Sequence, residues 1–362
     1  MLRLLKSLGL ALAFTTLSLS ANDDLLISGE EAYKLLGKPG VVFVSGDSHD
    51  IYEAIGHIEG SVEMYAHHLH HAGPMGGMHC APLFMCPDDA ESYIRSKGIK
   101  NDDLIIAYDD YRGPNATGVW AYFKSFGHEK IKILNGGMDA IRKLDPVQQK
   151  YDALKEEEKG IKDEMKALKK AGKKKSPEYK ALKKKRKALK KEYNALVPDL
   201  KIQKGKHGHI APSDYKIDLA KVDASFIAGK EKIEAAMHDI LEKKEDSKYR
   251  IIDTRAIAEI IGERKVDNVS RGGHVPGATF IEWKQISDSD NRLSFKSKEE
   301  MQKVFDKYGV TKDKTIYAYC HVGAGRSTEI IAALKMLGYE DIHVYTGSWD
   351  EWGNAMSLPV RR

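Results

Sequence analysis

The chain has 362 residues, enough for two domains of ordinary size, each with its own core. Hydrophobic residues make up 42%, which excludes a globally disordered chain. The formal net charge of +5 is mild, and it arises mostly from one Lys-rich stretch rather than from a basic surface throughout.

The first residues read as an export signal. Arg3 and Lys6 form a basic start, Leu8 to Leu17 an apolar run too short to span a bilayer, and Ser20-Ala21 a small-residue cleavage site. Residues 1–21 are therefore expected to be removed, which puts the mature protein in a periplasm. No later segment reaches transmembrane length, and export points away from nucleic acid as a partner.

Residues 24–145 alternate short apolar strands with helical patterns, as α/β units on a mostly parallel sheet do. Leu104–Asp109 is an apolar strand ending in a carboxylate, followed by a Gly-containing loop. Upstream lies a stretch dense in metal-ligand types: His67, His68, His70, His71, Met75, Met78, His79, Cys80, Met85 and Cys86. Imidazole, thioether and thiolate together suit copper, or zinc if the cysteines are reduced. In an oxidising compartment Cys80 and Cys86 are instead expected to pair, leaving Cys320 as the free thiol. No cofactor is required by the chemistry read below; copper or zinc at this loop is the one candidate.

Residues 146–205 change composition to Lys, Glu, Ala and Leu. Leu154, Ile161, Met165 and Leu168 recur at helical spacing, Gly172 and Pro177 interrupt, and Tyr179, Leu182, Leu189 and Tyr193 resume it. This predicts a projecting helical hairpin. An acidic partner or an anionic membrane would suit its lysines, but a merely solvated face is the preferred reading, and the hairpin's partner is unknown.

Residues 215–362 repeat the first pattern. Thr315–Cys320 matches Leu104–Asp109, and Gly273-His274-Val275-Pro276-Gly277 matches Gly56-His57-Ile58-Glu59-Gly60. After Cys320 the chain reads His321-Val322-Gly323-Ala324-Gly325-Arg326-Ser327 and enters a helix. Backbone N–H groups of such a loop, the helix N-terminus and the Arg326 guanidinium stabilise a thiolate and hold an oxyanion. Cys320 and Arg326 are thus the catalytic candidates. His321, Val322, Gly323, Ala324, Gly325 and Ser327 are the binding loop.

These motifs resemble the tandem-domain rhodanese (thiosulfate sulfurtransferase) family. Asp253-Thr254-Arg255 with Glu259, the Gly-His-Val-Pro-Gly turn, and Tyr345-Thr346-Gly347-Ser348-Trp349-Asp350-Glu351-Trp352 resemble three of its signatures in order, with Thr346 where an Asp is usual. The resemblance implies two rhodanese-like domains, a catalytic second copy and an inactive first copy with Asp109 at the cysteine position. It implies sulfane-sulfur transfer from thiosulfate through a Cys320 persulfide to a thiol or cyanide, at a cleft between the copies. Asp253, Arg255 and His274 would support the loop from behind. Five residues separate Cys320 from Arg326, where tandem sulfurtransferases usually have four. That longer loop resembles the arsenate-reductase and phosphatase branch, which is the first alternative. A periplasmic sulfur-relay or metal-binding carrier is the second.

Overall fold

The structure, a computed structural model, describes residues 25–206 and 208–362. The expected signal at 1–21 lies outside the described residues.

The first unit runs β1 (Leu26–Ile27), α1 (Gly29–Leu35), β2 (Val41–Ser45), β3 (His57–Ile58), β4 (Val62–Glu63), α2 (Pro87–Ser96), β5 (Leu104–Tyr108), α3 (Pro114–Ser125), β6 (Ile131–Leu134) and α4 (Gly137–Leu144). Its five-stranded sheet has the order β1-β6-β5-β2-β4, with every pairing parallel. Parallel strands are covered on both faces, which is why β5 reads as an unbroken apolar run.

The Lys-rich segment forms α5 (Pro146–Lys170) and α6 (Pro177–Leu196). Asp145 caps the first, its carboxylate accepting from the N–H groups of Val147 and Gln148; Ser176 caps the second. Ile161, Met165 and Leu189 make a small core of their own, flanked by Leu154, Tyr179 and Leu182. The stem is laced by ion pairs, including Arg186 with Glu158 and Lys185 with Glu157. The chain then returns to the first unit, where β7 (Ile202–Gln203) pairs antiparallel with β3.

The second unit runs β8 (Ile227–Ala228), α7 (Lys230–Lys243), β9 (Tyr249–Asp253), α8 (Ile257–Ile260), β10 (Thr279–Phe280), α9 (Lys298–Lys307), β11 (Thr315–Tyr319), α10 (Arg326–Met336), β12 (Ile342–Tyr345) and α11 (Ser348–Trp352). Its sheet, β10-β9-β11-β12-β8, is again wholly parallel. β5 and β11 are the central strands of the two sheets, so Asp109 and Cys320 occupy equivalent places, just past their C-terminal ends.

The units pack through α3 and α10. Both helices are buried almost all round, because one side of each covers its own sheet and the other meets its counterpart. The Thr117 and Thr328 hydroxyls lie 3.1 Å apart at this seam. A Cβ added to Gly118 would stand 2.8 Å from the Ala66 Cβ and 3.1 Å from the Gly325 nitrogen, so glycine permits the close approach. Among the described residues no helix is long and apolar enough to cross a membrane.

Candidate active site

Cys320 leaves β11 as a buried residue, 2% exposed. Its backbone N–H donates to the Ser348 hydroxyl at 3.1 Å, and that hydroxyl in turn donates to the Tyr345 carbonyl at 2.8 Å. The carbonyls of Cys320 and His321 accept from the N–H groups of Trp349 and Asp350. The first turn of α11 therefore fixes the start of the loop. Ser348 belongs to the Gly-Ser-Trp signature, yet its role depends on a fold that brings residues 320 and 348 together.

The loop closes around the sulfur. Ser327 Oγ donates toward Cys320 Sγ at 3.4 Å and lies 3.2 Å from the Gly323 carbonyl oxygen. Gly323 has φ +79°, and a Cβ there would stand 2.4 Å from the Thr346 carbonyl oxygen. Only glycine satisfies both constraints. The N–H groups of Val322, Gly323, Ala324 and Arg326 have no acceptor among the described residues, which leaves them available to an anion. Thr328 Oγ1 accepts from the Gly325 N–H at 3.0 Å and so ties the loop's end to the first turn of α10.

Arg326 does not reach this cradle as an unpaired cation. Its two terminal nitrogens bind Glu259 at 2.7 and 3.2 Å, and Arg264 shares the same carboxylate at 2.8 Å. Burial opposes ionisation of Glu259, but these arginines hold its carboxyl at about 2.

Behind β11, Arg255 binds the Asp253 carboxylate at 3.0 and 2.6 Å and donates to the Gly273 carbonyl at 2.7 Å. The guanidinium carbon lies 4.4 Å from the Trp349 ring centroid. Tyr319 donates to Asp253, and His274 Nδ1 lies 3.0 Å from the Ile260 carbonyl oxygen. The structure thus puts Asp253, Arg255 and His274 beneath the strand and turn, not at the sulfur.

In the first unit Asp109 fills its own cradle. Its carboxylate accepts from the N–H groups of Gly113, Asn115 and Ala116 at 2.9 to 3.4 Å. Burial, followed by the nearby Asp47 and Asp110, pushes its proton affinity well above the usual range. A pocket of about 520 Å³ joins the units, lined by His67, Asp109, Arg112, Asn115, Glu259, Arg264, Trp283, His321 and Arg326. His321 and His67 are both lowered to about 4, chiefly by burial and then by Arg326.

Among the described residues the side chains of the histidine-rich stretch go to different places. Cys80 and Cys86 form a disulfide, which removes both thiols as ligands. Met85 is buried, its sulfur 3.4 Å from the Tyr122 hydroxyl. His68 and His71 are exposed, with His71 against Asp89. Among the described residues no three of His, Cys, Asp and Glu gather as a metal-binding group. His67 instead lies at the pocket, and Gly76 packs on the Asp350 backbone. The Thr346 hydroxyl, at the position where the resembled family usually has an Asp, donates across the units to the Pro82 carbonyl at 2.6 Å.

The rhodanese-like domain model matches twice, over residues 28–144 and 236–355. A thiosulfate/3-mercaptopyruvate sulfurtransferase of Arabidopsis thaliana is 29% identical over 73% of this chain and 57% of the relative. The sulfur carrier protein TtuD of Thermus thermophilus is 26% identical over 77% of this chain and 78% of its own. Among solved structures, the 3-mercaptopyruvate sulfotransferase SseA of Escherichia coli superposes with a TM-score of 0.60 at 19% identity, covering 90% of this chain and 99% of that one.

Proposed function

Because the chain belongs to the rhodanese-like domain family, we propose that it is a sulfurtransferase that carries sulfane sulfur on Cys320. The observation that supports this reading is the free, buried thiol in a loop whose Val322, Gly323 and Ala324 amides have no acceptor among the described residues, beside a pocket lined by His321 and Arg326 of the same loop.

The Cys320 thiolate attacks the outer sulfur of thiosulfate. The S–S bond of the donor breaks, its electron pair leaves with sulfite, and Cys320 holds a persulfide. A thiol or cyanide then takes the terminal sulfur and restores the thiolate, so the kinetics are ping-pong. Loop amides receive the negative charge that moves along the sulfur chain, and the Ser327 hydroxyl steadies Sγ. Arg326, oriented by Glu259, supplies a guanidinium at the edge of the same charge. Asp109 has no such chemistry: a carboxylate occupies the place of the thiol.

A periplasmic setting is part of this proposal. The pattern of residues 1–21 supports it, as does the Cys80–Cys86 disulfide, since such bonds persist in oxidising compartments. The name of the Thermus relative supports a carrier role for the same persulfide.

Thiosulfate and cyanide turnover, assayed as sulfite and thiocyanate, tests the reading. Steady release of both is expected. Hydrolysis of an aryl phosphate or reduction of arsenate without sulfite release would favour the Cys-loop alternative.

A further inference from the structure

The silent unit contributes more than a wall to the pocket. His67 sits in a tight turn, Ala66–His68, held by the Ala66 N–H to the Gly46 carbonyl at 3.0 Å and the His68 N–H to the Tyr65 carbonyl at 2.9 Å. Ala66 is fully buried, so the turn is anchored in the first unit's core. The Tyr65 ring stacks on the imidazole at 5.0 Å, and its hydroxyl lies 3.2 Å from Nδ1. Nδ1 is thereby occupied. The other nitrogen, Nε2, faces the loop of the second unit: it is the nearest side-chain atom, at 3.8 Å, to a Cβ built on Gly325. At φ +129° Gly325 favours glycine, so no side chain screens His67 from the cradle.

The electrostatics of the site leave a role for such a donor. Arg326 gives one N–H of each terminal nitrogen to Glu259, whose carboxylate also offsets part of its charge, so the guanidinium alone does not surround a sulfonate. A donor molecule carrying a sulfonate brings three oxygens that need partners beyond the sulfur being transferred. At the pocket, His321 Nδ1 is buried without a hydrogen-bond partner, as in a site built to receive a polar ligand.

We propose that His67, from the catalytically silent unit, donates a hydrogen bond through Nε2–H to the sulfonate oxygens of the sulfur donor held over Cys320. The inference rests on the sulfurtransferase reading and narrows it to donors with a tetrahedral sulfur oxyanion, thiosulfate or an organic thiosulfonate. With the Tyr65 hydroxyl donating to Nδ1, the neutral ring carries its proton on Nε2; a protonated ring donates there as well, so the contact does not depend on titration. It strengthens as sulfite departs and charge gathers on those oxygens, which makes His67 a catalytic residue of the first half-reaction only.

The test compares His67→Ala, His67→Gln and Tyr65→Phe with the unaltered chain, measuring single-turnover persulfide formation on Cys320. Two donors are used: thiosulfate, and inorganic polysulfide, which has no sulfonate. The expected result is a loss of about 10²-fold with thiosulfate in His67→Ala, at unchanged polysulfide rate. His67→Gln, which keeps an N–H donor, recovers most of the loss, and Tyr65→Phe shows a smaller loss confined to thiosulfate. Equal rates for His67→Ala and the unaltered chain with thiosulfate would overturn the proposal. So would an equal loss with both donors, which marks a structural effect. Failure of the unaltered chain to form a persulfide from either donor would instead overturn the sulfurtransferase reading on which the proposal stands.

Discussion

Arg326 and Glu259 form a two-pronged ion pair at the rim of the cysteine loop, with contacts of 2.7 and 3.2 Å. Glu259 also accepts from Arg264 and from the Ala256 N–H, so the carboxylate is a fixed post against which the guanidinium leans. Removing the guanidinium and loosening it should therefore differ. Arg326→Ala is expected to slow sulfite release from thiosulfate by about 10²–10³-fold, the usual effect of losing one oxyanion donor. Glu259→Gln keeps the cation and misplaces it, for a loss of about 10-fold. Stopped-flow sulfite release at saturating thiosulfate measures both. A larger loss in Glu259→Gln than in Arg326→Ala would mean that the carboxylate acts on the substrate itself.

Gly323 offers a sharper structural test. Its positive φ and the Thr346 carbonyl 2.4 Å from any added Cβ leave no room for alanine. Gly323→Ala is expected to lower stability by about 1–3 kcal/mol and to distort the cradle, with sulfite release falling at the same time. Thermal unfolding beside the activity assay checks this. An alanine variant with native stability and rate would show that the loop has another packed arrangement.

Much of this site was legible in the sequence because its parts are local. Cys320 to Ser327 is one strand-loop-helix step, and Asp109 stands in the matching place of the first unit. The hairpin was equally plain, since the spacing of Leu, Ile, Met and Tyr sets its inner stripe without help from the rest of the chain. What the sequence concealed lies between residues far apart in the chain, 211 positions for Thr117 against Thr328 and 264 for Pro82 against Thr346, with His67 against Gly325 likewise distant. The histidine stretch reads as one metal-type cluster because residue type and spacing say nothing of direction; folding sends His67 to the pocket, His71 to solvent and Met85 to the core. Glu329, an ordinary helix residue by type, is buried because α10 meets α3.

That burial has a pH consequence. Glu329 is fully buried, one oxygen accepting from Ser287 at 3.0 Å and the other without a partner. Desolvation, with Asp109 next, raises its proton affinity well above the usual carboxylate range. The folded state therefore holds this proton where the unfolded chain has lost it. Stability should fall as pH rises from the unfolded value of about 4.5 through the folded one. Glu329→Gln is expected to flatten that decline, with a higher melting temperature than the unaltered chain at about pH 8 and little difference at about pH 5. A decline of equal steepness in the variant would assign the effect to other groups, such as Asp47, which is raised to about 6 chiefly by burial.

The hairpin should be dispensable for the chemistry. Its apolar residues pack on one another, and the Tyr151 and Tyr193 rings lie 5.7 Å apart at its base, so a short linker can replace residues 151–193. The shortened protein is expected to keep its thiosulfate turnover within about twofold of the intact chain, as surface changes remote from a site usually do. Lost turnover in a shortened chain with intact circular dichroism would mean that the hairpin bears on the pocket.

Sulfur transfer by this chain requires that sulfur be held at Cys320. Mass spectrometry of the intact protein after brief exposure to thiosulfate, followed by peptide mapping, is the most direct measurement. The expected result is a gain of one sulfur atom on the peptide containing Cys320, discharged by cyanide and absent in Cys320→Ser, because a hydroxyl cannot replace the thiolate. An unmodified Cys320, or sulfur that persists in the Cys320→Ser protein, would contradict it.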